Sequence, residues 1–404
     1  MRTVILMRVP FSFPSLLLLL LGWLVGTSSA FVIYQNHPEN NAQLTTRIKA
    51  EATPIAESTF FDFQGHKVYT EVTPPLGVSS SSSSQQKENP AIVLIHGFGA
   101  SAFAWRETTK ALSKAGYSVY ALDLLGLGRS DKPGRAEGIE YTIDLWAQLV
   151  NDYVHDTIPS AQKVVYVGNS LGSVVALSAA TGDFVKDNVL SASVLEYRAE
   201  KVAGVCLFNC GVGMNSRNLL KDPNLTPLER ALFTLLFDAL DFLIFDNMAA
   251  LNYLLKQVVT PELLRNVLTG LYQNAENPEE RVDDALVQSF FEPSQDPGAP
   301  EAFNQIYTND PGPLPMDLYE DHYDDIFSTV PIQVIWGSED NVTPIDGPVA
   351  KFFLNLSEKD KARNVSFEAI KAGHVLFDEV PECNQLFVKW LDEKFCLEEN
   401  VQST

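Results

Sequence analysis

Six short, largely apolar runs separated by helical patterns constrain the fold of this chain more than any other feature. The runs are Ala91–Ile95, Ser118–Leu122, Lys163–Val167, Val202–Phe208, Ile332–Trp336 and Val365–Ile370. Strands that are apolar along most of their length are buried on both faces, and strands that alternate with helices pair in parallel. The pattern predicts an α/β fold, with a mostly parallel twisted sheet and helices on both of its faces.

The alternation is interrupted once. Residues 211–328 show helical patterns and proline-rich loops without a convincing strand, which predicts a helical cap inserted into the domain. The two parts of the sheet domain are then residues 58–210 and 329–397, followed by a short tail, 398–404. The first part is expected to open with a hairpin around Gly65 and to contain a flexible polyserine loop, Ser79–Ser84.

The first thirty residues are typical of a signal peptide. Arg2 and Arg8 precede a ten-residue apolar run, Leu16–Val25, which is too short to cross a bilayer. Small residues precede Ala30, so cleavage is expected after it, with an uncleaved anchor as the alternative. The Ala30–Phe31 junction resembles the bipartite plastid presequences of diatoms and related algae.

This resemblance implies that residues 31–57 form a transit segment and that the protein resides in a plastid. Residues 31–57 contain two basic and three acidic side chains, however, whereas transit peptides are usually poor in acids. A secreted or endomembrane protein is the alternative.

Composition excludes several classes of function. Lys and Arg number 29 against 51 Asp and Glu, a formal charge of −22, so the chain is not expected to bind nucleic acid, whose phosphates require cations. Four cysteines are too few for a disulfide scaffold, and they include no CxxC pair that would suggest zinc. Neither a metal nor an organic cofactor is expected.

A Gly-Asn-Ser-Leu-Gly segment, residues 168–172, lies between a predicted strand and a predicted helix. This is the pattern of a nucleophile elbow, in which a serine occupies a strained turn and presents its hydroxyl above the sheet. Gly168 and Gly172 remove side chains that would collide in the turn. Ser170 is therefore the candidate nucleophile.

A serine hydroxyl needs a base and an orienting carboxylate, which follow it along the chain in the order acid, histidine. Asp340 and His374 both come just after predicted strands, at the sheet edge where α/β sites form. Glu339 is the alternative acid. His322, the other histidine after Ser170, lies among three aspartates and is expected to be a solvated loop residue.

The complementary part of such a site is an oxyanion hole, made of two N–H groups. The backbone N–H groups of Phe98, in the loop after the first central strand, and of Leu171, at the start of a helix, are the candidate donors. His96 and Asp123 are expected to be structural. Trp105 either lines the substrate pocket or packs beneath the loop.

Several segments together resemble the α/β-hydrolase superfamily. They include His96-Gly97-Phe98-Gly99-Ala100-Ser101, Trp105-Arg106, the Ala121–Pro133 segment and Val167-Gly168-Asn169-Ser170-Leu171-Gly172. Within the superfamily, these stretches are similar to plant and algal pheophytinases and their chlorophyll-dephytylating relatives. Asn169 supports this, because many esterases carry a histidine before the nucleophile. The close resemblance covers about eighty residues.

The resemblance implies a serine esterase that cleaves the phytyl ester of chlorophyll or pheophytin without a cofactor. A general lipid or carboxylic-ester hydrolase and a cofactor-free haloperoxidase-like enzyme are the alternatives, and a ligand-binding receptor on the same fold is ranked below them. Dehalogenases and epoxide hydrolases of the superfamily would need an aspartate where Ser170 stands.

The segment Ala231–Phe245 is apolar at all but three positions. If the segment is a helix, apolar side chains surround nearly its whole circumference, which predicts that other parts of the protein cover both of its faces. One face would then seal the core, and the other, with Phe242 and Phe245, would line a tunnel for the substrate or touch the thylakoid surface. The simpler alternative is that the helix only packs on the catalytic domain.

Overall fold

The computed structural model describes residues 56–76, 89–182, 201–221, 225–359 and 364–396. The predicted signal peptide and nearly all of the predicted transit segment lie outside these ranges, as do the polyserine loop and the tail. Among the described helices, none is both long and apolar enough to cross a membrane.

The described strands form one sheet. They are β1 (Glu57–Phe63), β2 (His66–Thr73), β3 (Ala91–Ile95), β4 (Val119–Leu122), β5 (Val164–Asn169), β6 (Val202–Phe208), β7 (Ile332–Gly337) and β8 (Val365–Ile370). Their order is β1-β2-β4-β3-β5-β6-β7-β8, and β2 runs antiparallel to both of its neighbours while the other pairs are parallel. The predicted hairpin and the predicted mostly parallel sheet are confirmed.

Helices connect the strands and build the insertion. The helices are α1 (Arg106–Lys114), α2 (Ile143–Thr157), α3 (Leu171–Thr181), α4 (Pro227–Leu240), α5 (Met248–Tyr253), α6 (Pro261–Leu271), α7 (Pro278–Arg281), α8 (Asp284–Ser294), α9 (Ala299–Thr308), α10 (Pro315–Asp321), α11 (Pro348–Lys359), α12 (Leu376–Glu379) and α13 (Pro381–Phe395). Short π-helical turns, Asp241–Phe245, Leu254–Val258 and Tyr323–Phe327, follow α4, α5 and α10.

Alternate side chains of the central strands enter two separate cores, as the two-residue period of a strand requires. Val93 and Ile95 of β3 pack on the side covered by α2 and α3, whereas Ile92 and Leu94 pack on the side covered by α1 and α13. The fully apolar strands of the sequence are therefore buried on both faces, and the sheet is a rigid platform for residues at its carboxyl edge.

The insertion between β6 and β7 is helical within its described residues and lies over that edge. Its helix α4 begins with a capping box, in which Thr226 and Glu229 bond each other's backbone N–H groups, and with Pro227 at the first helical position. Two small hydrophobic cores of its own stabilise the insertion, one around Leu240, Phe245 and Leu254, the other around residues 268–287.

The prediction for Ala231–Phe245 is wrong in two respects. The α-helix ends at Leu240, and a π-helical turn, Asp241–Phe245, completes the segment. In addition, only one face is covered. Phe237, Leu240 and Phe245 are buried, but Leu235 is 67% exposed and Phe242 is 77% exposed. Helical periodicity reveals an apolar surface but not whether another element covers it.

Candidate active site

Ser170 occupies the tight turn between β5 and α3 with φ 53° and ψ −121°, a conformation that side-chain-bearing residues rarely adopt. Hydrogen bonds with the end of β6 and with the loop after it hold the turn: the Ser170 N–H donates to Phe208 O (3.0 Å), and the Gly211 N–H donates to Ser170 O (3.0 Å). The strained turn that the sequence predicts is therefore present, and hydrogen bonds with β6 and the loop after it stabilise it.

Both glycines of the turn are sterically required. A Cβ at Gly168 would lie 2.1 Å from Gly172 O, and a Cβ at Gly172 would lie 2.2 Å from Ile95 O. Since these contacts are with backbone atoms, no side-chain rotation could relieve them. The close packing of α3 against β3 and β5 thereby fixes the height of Ser170 above the sheet.

Asp340 and His374 form a hydrogen-bonded pair beyond the ends of β7 and β8. His374 Nδ1 lies 2.8 Å from Asp340 Oδ2, and the Asp340 carboxylate is fully buried. The carboxylate also accepts hydrogen bonds from the Val342 N–H (2.7 Å), the Thr343 N–H (3.1 Å) and the Thr343 hydroxyl (2.7 Å). These donors fix its orientation and, through it, the orientation of the imidazole ring.

His374 and Ser170 line the same cavity. Within the described part of the chain, no hydrogen bond joins Ser170 Oγ to His374 Nε2. Catalytic hydrogen bonds of unliganded sites often tighten only when substrate binds. The structure therefore brings together the three side chains that the sequence selects, while Glu339 lies on the exposed surface.

Two asparagines clamp the main chain of the histidine. Asn209, directly after β6, donates to Gly373 O (2.9 Å) and His374 O (3.0 Å), while its Oδ1 accepts the Gly337 N–H (2.8 Å). Asn169 donates to His374 O as well (3.2 Å). Asn209 is completely buried and has a left-handed backbone, φ 44°, which asparagine tolerates better than most residues. It connects the ends of β6 and β7 with the loop that carries His374.

The two residues proposed to supply the oxyanion donors also lie at the cavity. Phe98 and Leu171 both line it, and neither backbone N–H makes a hydrogen bond with any other described residue. The Leu171 N–H is at the N-terminus of α3, whose dipole favours negative charge. The two amides are thus available to a ligand.

The loop that carries Phe98 is held by His96 and Asp123. His96 Nε2 accepts the Leu124 N–H (3.0 Å), so Nδ1 carries the proton and donates to Gly97 O (2.7 Å). Burial lowers the pKa of His96 below its ordinary value of 6.5. Asp123 accepts the Ala102 N–H (2.6 Å) from the following turn. Neither residue lines the cavity, in agreement with the predicted structural roles.

The cavity measures about 440 Å³ and lies between the sheet edge and the insertion. Its floor is formed by the two loops around Ser170 and His374. Its walls are predominantly apolar and come from the Leu254–Val258 turn and helices α6, α8 and α9, with Leu264, Leu268 and Phe303 among them. Such a chamber favours an apolar ligand of considerable length.

Phe242 and Phe245 are wrongly assigned to the pocket, and of the two alternatives for Trp105 the structure shows packing beneath the loop. Trp105 is fully buried beneath the loop, where it stacks on Phe377 at 4.0 Å between ring centroids. Phe242 points to solvent, and Phe245 is stacked on Tyr307 at 4.6 Å inside the insertion, one layer behind the cavity wall. None of the three lines the cavity: Phe242 is seven residues after Leu235, on the same exposed side of the helical segment, and Phe245 packs in the insertion's own core.

A buried charged cluster, which the sequence does not reveal, joins the insertion to the sheet domain. The fully buried Asp378 accepts hydrogen bonds from Arg106 (3.1 Å), Arg281 (2.9 Å) and the Tyr272 hydroxyl (2.9 Å). Arg106 also pairs with Asp283 at 2.8 Å. Because Tyr272, Arg281 and Asp283 belong to the insertion, the cluster fixes its position relative to the catalytic loops.

Sequence reasoning also missed Asn209 and Thr343. Both could have been found by the rule that selected Asp340 and His374, since Asn209 is a polar residue directly after an apolar strand and Thr343 follows closely after β7. The members of the charged cluster had no comparable signal, because Arg106 and Asp378 are separated by 272 residues.

The geometry is that of an α/β hydrolase, and comparison with protein families agrees. Residues 92–383, well over half of the chain, match the model of the alpha/beta hydrolase family. The chain therefore belongs to this family, and the predicted fold class is confirmed.

Curated relatives match over shorter stretches. Epoxide hydrolase A of Mycobacterium tuberculosis is 37% identical over 93 residues, which is 22% of this chain and 27% of that protein. The bifunctional epoxide hydrolase 2 of Sus scrofa is 26% identical over 140 residues, 35% of this chain and 21% of that protein. The matched part thus spans only about a quarter of the length of these relatives.

Solved structures share the fold over most of the chain. Potato (Solanum tuberosum) epoxide hydrolase I has a TM-score of 0.55 at 16% identity, covering 84% of this chain and 100% of that one. A meta-cleavage product hydrolase from Pseudomonas fluorescens has a TM-score of 0.51 at 22% identity, covering 81% and 95%. At these identities the likeness concerns the fold alone.

Proposed function

We propose that this protein is a serine hydrolase that cleaves esters of long apolar alcohols or acids, with Ser170 as nucleophile, His374 as base and Asp340 as the orienting acid. One observation carries the proposal. A serine in a strained turn lines an apolar cavity, together with a histidine whose Nδ1 is hydrogen-bonded to a buried aspartate.

The geometry supports a two-step acyl transfer. In the first step Ser170 Oγ attacks the ester carbonyl and passes its proton to His374 Nε2, while the Nδ1 proton stays on the ring in its bond to Asp340. The negative charge that develops on the carbonyl oxygen is stabilised by the N–H groups of Phe98 and Leu171. His374 then protonates the departing alcohol, and water attacks the acyl-enzyme with His374 again acting as base.

Ser170 also separates this chemistry from that of the relatives named epoxide hydrolases. A serine oxygen that opened an epoxide would form an ether, which has no carbonyl for water to attack, so the enzyme would not turn over. The same oxygen that attacks an ester forms another ester, which water can cleave. The proposed reaction class is therefore ester hydrolysis rather than epoxide opening.

The more specific substrate that we propose is the phytyl ester of a chlorophyll-type pigment. Two features support it: the resemblance of the segments around Phe98 and Ser170 to chlorophyll-dephytylating hydrolases, and a cavity with apolar walls. A general lipid ester hydrolase is the second candidate, because the same walls suit any long hydrocarbon chain.

The decisive experiment is to incubate the purified protein with pheophytin a, chlorophyll a and p-nitrophenyl esters of increasing acyl length. Each CH₂ group that the cavity buries adds at most about 0.8 kcal/mol, or roughly fourfold in kcat/KM. Phytol release well above the rate for simple long-chain esters supports the pigment assignment. Long-chain ester hydrolysis without phytol release supports the lipid hydrolase.

Variants of the three catalytic positions test the mechanism itself. Ser170→Ala and His374→Ala should each lower kcat by about 10⁴-fold or more, and Asp340→Ala somewhat less, because Asp340 forms no covalent bond. Stoichiometric labelling of the wild type, but not of Ser170→Ala, by a fluorophosphonate identifies the nucleophile. A Ser170→Ala protein with a tenth of the wild-type activity and an unchanged circular dichroism spectrum would disprove the assignment.

A further inference from the structure

The insertion carries a group of large apolar side chains that are exposed to solvent. The group consists of Leu228 (70% exposed), Leu232 (57%), Leu235 (67%), Phe242 (77%), Leu243 (55%), Met248 (42%) and Tyr253 (56%). We call it the apolar face of the cap. All of its members come from the single stretch 228–253, whereas the rest of the described chain exposes one comparable residue, Phe60.

The arrangement of the face is regular. Leu228, Leu232 and Leu235 follow the i, i+4, i+7 spacing of one side of α4, and the opposite side buries Phe237 and Leu240. Helix α4 is thus apolar on two sides, and only the side that carries Phe237 and Leu240 is buried in the protein. Contiguous exposed apolar surface of this kind marks a site of interaction, because leaving it in water is unfavourable.

Charge restricts what can cover the face. The stretch 228–253 contains four acidic residues and one arginine, a net charge of −3, within a chain of net charge −22. An anionic partner would be repelled. A second copy in a two-fold contact would place the same acidic residues against each other. The suitable occupant is apolar and uncharged.

We infer that the apolar face of the cap inserts into the surface of a neutral lipid bilayer. The face continues directly into the cavity wall, since the next turn contributes Leu254 and Leu255 to the cavity and packs on Leu240 and Phe245. Only a thin apolar layer therefore separates the bound lipid surface from the substrate chamber. The inference depends on these two surfaces and on charge, not on the ester chemistry proposed above.

A fluorescent probe placed on the face tests the inference in the full-length protein. In a Cys396→Ser background, which removes the exposed thiol while the other three remain buried, Leu235→Cys or Phe242→Cys is labelled with an environment-sensitive dye. Phe60→Cys is the matched control, because Phe60 is the exposed large apolar residue of the described chain that lies outside the cap, on β1. The dye reports its own surroundings, whatever other part of the chain contacts lipid.

With vesicles of phosphatidylcholine, the dye at positions 235 and 242 should brighten and shift to the blue, and the dye at position 60 should not. Vesicles of phosphatidylglycerol should give a weaker response at low salt, because the acidic protein is repelled. A dye at Met248→Cys measures how strongly the cap partitions into phosphatidylcholine vesicles. The triple variant Leu232→Ser/Leu235→Ser/Phe242→Ser should lower this partitioning by at least about 100-fold.

Three results would overturn the inference. One is the absence of a spectral shift at positions 235 and 242 with phosphatidylcholine. Another is an equal shift at position 60, which would show general adhesion rather than insertion of the cap. The last is a shift that appears without lipid when the protein concentration is raised, which would show that a second copy covers the face.

Discussion

Replacement of Asn209 by aspartate should produce a loss of stability that depends on pH. The aspartate has the same size and the same tolerance for the left-handed backbone, and it can still accept the Gly337 N–H. Its second oxygen, however, faces the carbonyl oxygens of Gly373 and His374, to which the asparagine donates at 2.9 and 3.0 Å. An ionised carboxylate cannot donate to them, and a protonated one can donate only once.

The magnitude follows from these contacts. Loss of one buried hydrogen bond costs about 1 kcal/mol. Holding the introduced carboxyl protonated at pH 7, against an ordinary pKa near 3.9, costs at most about 4 kcal/mol more. The folded state raises the pKa of this carboxyl, so the deficit is smallest at acid pH and grows as pH rises. Relative to the wild type, Asn209→Asp should therefore lose up to about 5 kcal/mol at pH 7 and up to about half of that at pH 5.

Urea denaturation of both proteins at several pH values measures this difference. Asn151→Asp is a matched control, because Asn151 also donates to two buried carbonyls, Ala147 O and Ala179 O, and accepts from the Tyr166 hydroxyl. Both variants should show the pH-dependent loss of stability.

Only Asn209→Asp should also lower kcat, by at least tenfold with little change in KM, since Asn209 holds the His374 loop and does not line the cavity. A stability deficit independent of pH would refute the hydrogen-bond reasoning. An equal effect of the two variants on kcat would refute the positioning role.

Further predictions concern other parts of the molecule. Because burial lowers the pKa of His96 below 6.5, the contribution of His96 to stability is complete above pH 6.5 and is lost as pH falls, by at most about 1.4 kcal/mol per pH unit. Urea denaturation at several pH values should show that His96→Gln removes this dependence of the unfolding free energy on pH, and an unchanged dependence in the variant would contradict the prediction. Phe303→Ala, in the cavity wall, should reduce kcat/KM for long-chain esters more than kcat/KM for acetate esters. Phe242→Ser should leave the ratio of these two kcat/KM values unchanged for substrates in free solution, and equal effects of the two variants would argue against the cavity as the chain-binding site. A fluorescent protein fused behind residues 1–60 should reach the plastid of a diatom host and Phe31→Ala should prevent this, whereas secretion of the unmodified fusion would contradict the predicted localisation.

Much of the sheet domain could be predicted from the sequence, because its central strands are apolar on both faces and its sharp turns need particular residues. The strands β3 to β8 agree with the apolar runs to within about two residues at each end. The need for glycine at positions 168 and 172 was also predictable, because the backbone atoms of a nucleophile elbow approach these positions too closely for any side chain.

The insertion was predictable only as a helical block. Whether a helix face is covered depends on which distant segment packs against it, so the sequence alone does not show that Phe242 is exposed. The Asp378 cluster was hidden for a related reason. Each of its members is an ordinary charged or aromatic residue, and only the fold brings Arg106, Tyr272 and Arg281 to one carboxylate.

The place at which the insertion enters the sheet bears on how such proteins can diversify. Val205 of β6 and Ile332 of β7 are register partners although they lie 127 positions apart along the chain. Closing a flexible loop of twice that length would cost the sheet only about 0.6 kcal/mol more, less than a typical hydrogen bond. Evolution can therefore lengthen, shorten or exchange the cap, and with it the range of substrates, at almost no cost to the framework that holds the reacting groups.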